Sequence, residues 1–244
     1  MTRREFLDRF FYVRTCGGCR QILSYEDCHS AFCSACRKKW KIAKVETCPD
    51  CFRVTPECAC MPKELSRAGA LTLRKLIFYD PSRTREPQNR LIYFLKRHPN
   101  RRMAAFVAEE WRRAVEEELL TLGIQNASEQ VLLTGVPRGR RARATYGFDQ
   151  SELLGKALSD AMGIPYRRIL QRRFGGAEQK TLSGKERLAN VRRLLSLRKG
   201  ASAEGRYVLL VDDIVTTGAS MAVAVSLLQR AGAAGVICLC IAQD

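Results

Sequence analysis

The chain has 244 residues, 46% of them hydrophobic, and a formal charge of +17 at pH 7. That length and apolar content suit one folded domain of ordinary size with a small added module, and exclude a disordered chain. Apolar stretches such as VLLTGV and VICLCIA fall far short of the roughly 18 to 20 residues of a membrane span, and FLDRFFYV near the start is broken by Asp8 and Arg9. No membrane span and a cytoplasmic location are therefore expected, with polyanions as the partners that the positive charge favours.

Nine of the eleven cysteines lie in the first sixty residues, mostly as C-x-x-C pairs, which points to metal binding rather than disulfides. Cys16-Gly-Gly-Cys19 and Cys33-Ser-Ala-Cys36 are two knuckles of the spacing that completes a tetrahedral sulfur shell for zinc. Cys48-Pro-Asp-Cys51 and the tighter Cys58-Ala-Cys60 form a second set. Together they predict a double zinc ribbon holding two structural Zn2+ ions. Cys28 and His29 are spare ligands, and spacing alone leaves open which pair shares which ion. Phe6, Phe10, Phe11 and Tyr12 precede the first knuckle and either pack against it or offer stacking faces.

Residues 1–65 hold 12 Lys/Arg and 8 Asp/Glu, a formal +4, so +13 of the charge lies on residues 66–244. A boundary is expected within MPKELSR, residues 61–67, giving a zinc-ribbon module over 1–64 and a large domain over 65–244.

ALTLRKLIFY reads as strand-like or mixed, and NRLIYFLKR as a short apolar segment ending in base. Residues 101–122 place Met103, Phe106, Val107, Trp111, Val115 and Leu119 at helical spacing, so Trp111 is expected in the core. VLLTGV is a buried strand running into Pro137-Arg138-Gly139. FDQSELLGKALSDAMG is a helix with Asp149 as N-cap and Gly163 as its stop, and YRRIL is a short strand. GRYVLLVDD is a buried strand ending at the carboxylates, GASMAVAVSLLQRAG a helix, and GVICLCIA a last strand in which Cys238 and Cys240 are small buried hydrophobes. Alternating strands and helices predict an α/β fold, a mainly parallel sheet flanked by helices, with ligands at the carboxyl ends of the strands.

The segment VLLVDDIVTTGAS, residues 208–220, is the most informative stretch. A turn over Thr216, Thr217, Gly218, Ala219 and Ser220 that opens into a helix presents backbone N–H groups and a helix dipole to a phosphate. Asp212 and Asp213, a few residues away, suit sugar hydroxyls or a hydrated Mg2+. A ribose 5-phosphate satisfies both halves.

The thirteen residues resemble the PRPP-binding signature of type I phosphoribosyltransferases. VPRGRRARATYGFDQSELL and QKTLSGKERLANV, with Gln179, Leu182, Arg187 and Asn190, resemble two segments of the ComF family, whose layout is also a cysteine-rich module before such a domain. The family's Arg-Gly-Phe-Asn-Gln is Tyr146-Gly147-Phe148-Asp149-Gln150 here, and its Arg-x-Thr ahead of the glutamine is Phe174-Gly175-Gly176. These departures bear on the grip of a mobile loop and leave the PRPP signature intact.

The resemblance implies a type I phosphoribosyltransferase fold that binds PRPP with Mg2+. The turn 216–220 would cradle the 5-phosphate and Asp212 with Asp213 the ribose. Pro137, Arg138 and Gly139 would form the pyrophosphate loop, with Arg172, Arg173 and Gln179 closing over the leaving group. Arg138, Arg140, Arg141 and Arg143 serve equally well as a solvated basic face. The family's link to natural transformation implies single-stranded DNA and other competence or DNA-uptake proteins as partners, with the arginine runs at 138–143, 167–173 and 192–198 as a phosphate-tracking groove. The alternative is a PRPP-dependent phosphoribosyltransferase acting on an unidentified small acceptor, unrelated to DNA.

Overall fold

A computed structural model describes residues 14–173 and 191–244. Phe6, Phe10, Phe11, Tyr12, Phe174 to Gly176, Gln179, Leu182, Arg187 and Asn190 lie outside the described residues.

The two halves of the cysteine module are built alike. Thr15-Cys16-Gly17-Gly18-Cys19-Arg20-Gln21-Ile22 and Thr47-Cys48-Pro49-Asp50-Cys51-Phe52-Arg53-Val54 each close as a tight antiparallel hairpin tip, with bridges Thr15 to Ile22 and Thr47 to Val54. In each, the first cysteine's N–H bonds the carbonyl five residues on, at 2.8 Å. The residue after the second cysteine turns left-handed, Arg20 at φ 68° and Phe52 at φ 58°. This pseudo-repeat reaches beyond the cysteine pairs that spacing reveals. Helix α1 (Ser34–Lys44) follows the first cluster, and α2 (Lys63–Arg67) leads out of the second, spanning positions 64 and 65.

The sheet contains β1 (Thr72–Phe78), β2 (Val131–Gly135), β5 (Tyr207–Val215) and β6 (Gly235–Gln243), all parallel, in the order β1-β6-β5-β2. Between them run α3 (Pro87–Arg97), α4 (Arg101–Thr121), α5 (Ala127–Gln130), α6 (Arg140–Tyr146), α7 (Gln150–Met162) and α8 (Ala219–Arg230). A small antiparallel pair, β3 (Leu170–Arg172) with β4 (Leu195–Leu197), stands beside it.

Alternation along the strands divides the core in two, as a sheet covered on both faces requires. Leu209, Val211, Ile237, Leu239 and Ile241 face α3, α4 and α7, while Val208, Leu210, Val236, Cys238 and Cys240 face α8 and α2. The cysteine module joins the first core. Phe32 and Trp40 pack edge-on against Phe106 of α4, with ring centroids 5.2 and 5.3 Å away. Trp111 is buried as expected, and its indole N–H donates to the Cys240 carbonyl at 3.1 Å.

Three local expectations change. NRLIYFLKR belongs to helix α3, whose Pro87 sits in the first turn where its missing N–H costs nothing. Of YRRIL, only Leu170 enters β3; Tyr166 makes an isolated parallel bridge to Leu133 of β2. Strand β5 runs past the carboxylates to Val215, because β6 remains paired with it as far as Gln243.

Candidate functional site

A cleft of about 630 Å3 opens beyond the carboxyl ends of β2 and β5, the place where parallel sheets leave strand ends free for ligands. Asp212 and Asp213 line it from β5, the 216–220 turn closes one end, and Pro137-Arg138-Gly139 forms the wall after β2. Arg172 also reaches this cleft. Arg173 is exposed and does not line it.

Gly218 is the N-cap of α8 at φ 73°, a left-handed conformation that favours glycine. A Cβ there would lie 3.0 Å from the Pro62 Cβ, so the turn rests directly on the segment that leaves the second cysteine cluster. Gly135 serves a similar end at β2: a Cβ would come within 2.9 Å of Ser151, whose helix must approach closely for its hydroxyl to reach the site.

The carboxylates are half-buried and tied in place. Asp212 Oδ1 accepts from the Asp213 N–H at 2.8 Å and from Ser151 Oγ at 3.3 Å. Asp213 Oδ1 accepts from the Ile214 N–H at 2.7 Å, and its Oδ2 pairs with Lys96 Nζ at 3.2 Å. Burial, with the Asp213 charge beside it, pushes the Asp212 carboxyl well above the ordinary carboxylate range, while Lys96 pulls the other way.

Arg138 holds the opposite wall. Its Nη1 donates to the Lys96 carbonyl at 2.7 Å, its guanidinium lies 4.6 Å from the Tyr146 ring centroid, and its N–H donates to Asp149 Oδ2 at 2.9 Å. Asp149 does stand at the N-cap of α7, but its side chain makes no cap hydrogen bond to that helix. It anchors the Arg138 turn instead.

Lys96 and Ser151 complete the site without having been read from the sequence. Lys96 ends an amphipathic helix and looks like an ordinary basic C-terminal residue. Ser151 is two positions into α7, and only the glycine opposite it, Gly135, hints at its inward position.

The cysteines resolve into two sequential groups, Cys16, Cys19, Cys33 and Cys36, then Cys48, Cys51, Cys58 and Cys60, with all sulfurs of a group within 4.8 Å of one another. Cys28 and His29 stand outside both; Arg14 Nη1 lies 3.3 Å from His29 Nδ1. A tetrahedral ion with Zn–S near 2.3 Å separates its sulfurs by about 3.8 Å. Cys19 and Cys33 are 3.8 Å apart and Cys51 and Cys58 3.6 Å. The N–H groups of Gly18 and Cys33 aim at Cys16 Sγ, at 3.4 and 3.3 Å. Burial opposes ionisation there, but such donors hold the Cys16 thiol down at about 7. In the second group Cys48 is likewise held at about 7, against burial, by the N–H groups of Cys51 and Asp50. Each cluster thus has the spacing of a closed four-sulfur metal site, with one thiol held down by backbone N–H groups. Others are pushed up, Cys36 in the first by burial and the neighbouring sulfurs, and Cys60 in the second by the Cys51 sulfur and burial.

Residues 149–244 match the phosphoribosyl transferase domain. Over 233 residues the chain is 29% identical to the DNA utilization protein YhgH of Escherichia coli strain K12, covering 92% of this chain and 96% of that one. It is 26% identical over 210 residues to the competence protein ComFC of Streptococcus pneumoniae strain R6, covering 84% of each. Among solved structures, the allosteric regulatory enzyme of purine biosynthesis is 30% identical over 49% of this chain and 23% of its own, with a TM-score of 0.31. Adenine phosphoribosyltransferase from Leishmania donovani is 14% identical over 56% of this chain and 65% of its own, also with a TM-score of 0.31. With its phosphoribosyl transferase domain on a parallel four-stranded sheet and two four-cysteine clusters ahead of it, the chain belongs to the ComF/YhgH family.

Proposed function

We propose that the protein binds PRPP with Mg2+ in the cleft and serves the uptake and use of DNA, as a competence-type protein acting in the cytoplasm. The observation that carries the reading is the pairing, in one cleft, of two carboxylates with a helix-opening turn whose glycine is left-handed. The turn takes the 5-phosphate, and Asp212 and Asp213 take the ribose hydroxyls. Mg2+ would screen the pyrophosphate charge, with Pro137, Arg138, Gly139 and Arg172 on the side of the leaving group; Arg173 and Gln179 complete the proposal on the adjoining segment. Each cysteine cluster takes one Zn2+, a structural role, since four sulfurs leave no open position. The names of the relatives, DNA utilization and competence, supply the biological setting, and the +17 charge suits a single-stranded DNA partner.

The test is calorimetric binding of PRPP and Mg2+ to the native chain and to Asp212→Asn/Asp213→Asn, with single-stranded DNA binding measured across salt in parallel. PRPP binding lost in the variant, with DNA binding retained and falling steeply with salt, supports the reading. PRPP binding that survives the variant removes the site, and a salt-insensitive DNA affinity removes the groove.

A second reading, phosphoribosyl transfer to a small acceptor, is favoured by the extent of the cleft, which continues past the carboxylates to Tyr79 and Lys96. Its volume lies within the usual range for small-molecule sites. Pyrophosphate release from PRPP that depends on a pooled metabolite extract, and vanishes in the same variant, would establish it.

A further inference from the structure

We infer that a second pocket, behind the turn that follows β2, binds a single phosphoryl group of a small ligand independently of whatever occupies the cleft. Arginines distant in sequence converge there: Arg143 from α6, Arg168 just before β3, Arg172 at its end, and Arg198 just after β4. The bridge between Tyr166 and Leu133 and the pairing of β3 with β4 bring these segments together. The Arg198 N–H bonds the Ile169 carbonyl at 2.8 Å, fixing its backbone against the same edge.

The charge balance favours an anion. With Arg138, five arginines line the pocket against two acids, Asp149 and Glu152, a formal +3. Glu152 is already engaged by Arg168 and by Lys156, at 2.8 Å from the latter. Asp149 Oδ2 is taken by the Arg138 N–H, while its Oδ1 is shut off from water with no hydrogen-bond partner among the described residues. Arg143 and Arg198 have no acid within ion-pair distance among the described residues. Like charges gathered around a concavity repel, and a phosphoryl group with several acceptor oxygens relieves that repulsion by charge-assisted bonds to guanidinium forks. Burial also pushes the Asp149 carboxyl up, which weakens its opposition to an anion.

Size selects the ligand class. The pocket holds about 170 Å3, well above the roughly 30 Å3 share of one water and below the roughly 300 to 1,000 Å3 of sites that enclose a whole small molecule. It therefore fits a phosphate group whose remaining atoms project outward.

Its walls separate it from the cleft. Only Pro137, Arg138 and Arg172 border both cavities, and the Arg138 side chain is held by the Lys96 carbonyl and the Tyr146 ring. Arg143 and Arg198 are exposed, border this pocket and not the cleft, and are the residues to change.

Titration calorimetry of the full zinc-loaded chain with inorganic phosphate, and separately with PRPP and Mg2+, tests the inference. In the native chain a phosphate site is expected that remains available with PRPP bound. Arg143→Gln/Arg198→Gln should weaken it at least tenfold while leaving PRPP affinity within twofold and the melting curve unchanged. An unchanged phosphate isotherm overturns the proposal. So does a parallel loss of PRPP affinity, which would assign the pocket to the pyrophosphate of PRPP itself. If the native chain binds no PRPP, the proposed function fails on its own, and the arginine-dependent phosphate site is still decided by the first titration.

Discussion

The buried ammonium of Lys75, in the middle of β1, donates to the Cys60 carbonyl at 2.6 Å and so ties the central sheet to the last cysteine of the second cluster. Lys75→Met would leave that carbonyl without its donor, a cost of about 1 to 3 kcal/mol, offset in part by removing a buried charge. Zinc release to a chromogenic chelator should then quicken for the second cluster and not for the first. Equal release from both clusters in native and variant chains would show that this contact does not hold the metal site.

Asp212→Asn should stabilise the fold while abolishing PRPP binding. The folded carboxyl titrates well above its unfolded value because of burial and of Asp213. For a raised carboxyl the folded state holds the proton more tightly, so native stability falls as pH rises from the unfolded value, about 3.9, up through the folded one. Asparagine removes that slope. The stability gap, variant above native, should be small near pH 4 and widen towards neutrality in urea unfolding. A constant gap would assign the effect to packing rather than to charge.

Lys96 bears on the same titration. Its pairing with Asp213 Oδ2 partly neutralises two carboxylates that otherwise repel one another. Lys96→Met should raise the Asp212 carboxyl further, and the pH at which PRPP binding reaches half its maximum should move upward, since sugar hydroxyls are best accepted by ionised oxygens. Lys96→Gln, which restores a hydrogen-bond donor without charge, should move it as well. A midpoint unmoved by either change would leave Lys96 a purely structural contact.

Asp212, Asp213 and the 216–220 turn were legible because strand, acids and turn are contiguous, so local geometry alone brings them together. The four-sulfur groups were legible in composition but not in pairing, because C-x-x-C spacing fixes each knuckle and says nothing of which knuckles meet. Lys96 and Ser151 were not legible. Both reach the cleft from other helices, one through α3 crossing over the sheet and the other through Gly135 letting α7 approach, and such juxtapositions arise only from tertiary packing. The same holds for Asp149, whose N-cap position was correct by local signal while its carboxylate was drawn to the Arg138 amide. The arginine runs were visible as charge; that members of all three runs meet in a single pocket is a product of tertiary packing, the pairing of β3 with β4 included.

Gly218→Ala tests whether the cysteine module shapes the phosphate turn. Two penalties act together: the left-handed φ of 73°, costing about 1 to 2 kcal/mol for a residue with a Cβ, and the approach of that Cβ to within 3.0 Å of Pro62. Pro62 stands two residues after Cys60, so it can give way only by shifting the exit from the second cluster. Changing Pro62 to glycine should have little effect alone, yet recover part of the loss when combined with Gly218→Ala. The recovered part measures the steric contact and the remainder the backbone strain, as in any double-mutant cycle between touching residues. Strict additivity would mean that the turn is set by its own backbone and owes nothing to the cysteine module. A coupling of 0.5 kcal/mol or more, about the lower limit for residues in contact, accompanied by weaker PRPP binding in Gly218→Ala, would make the second metal cluster a support for the phosphate site.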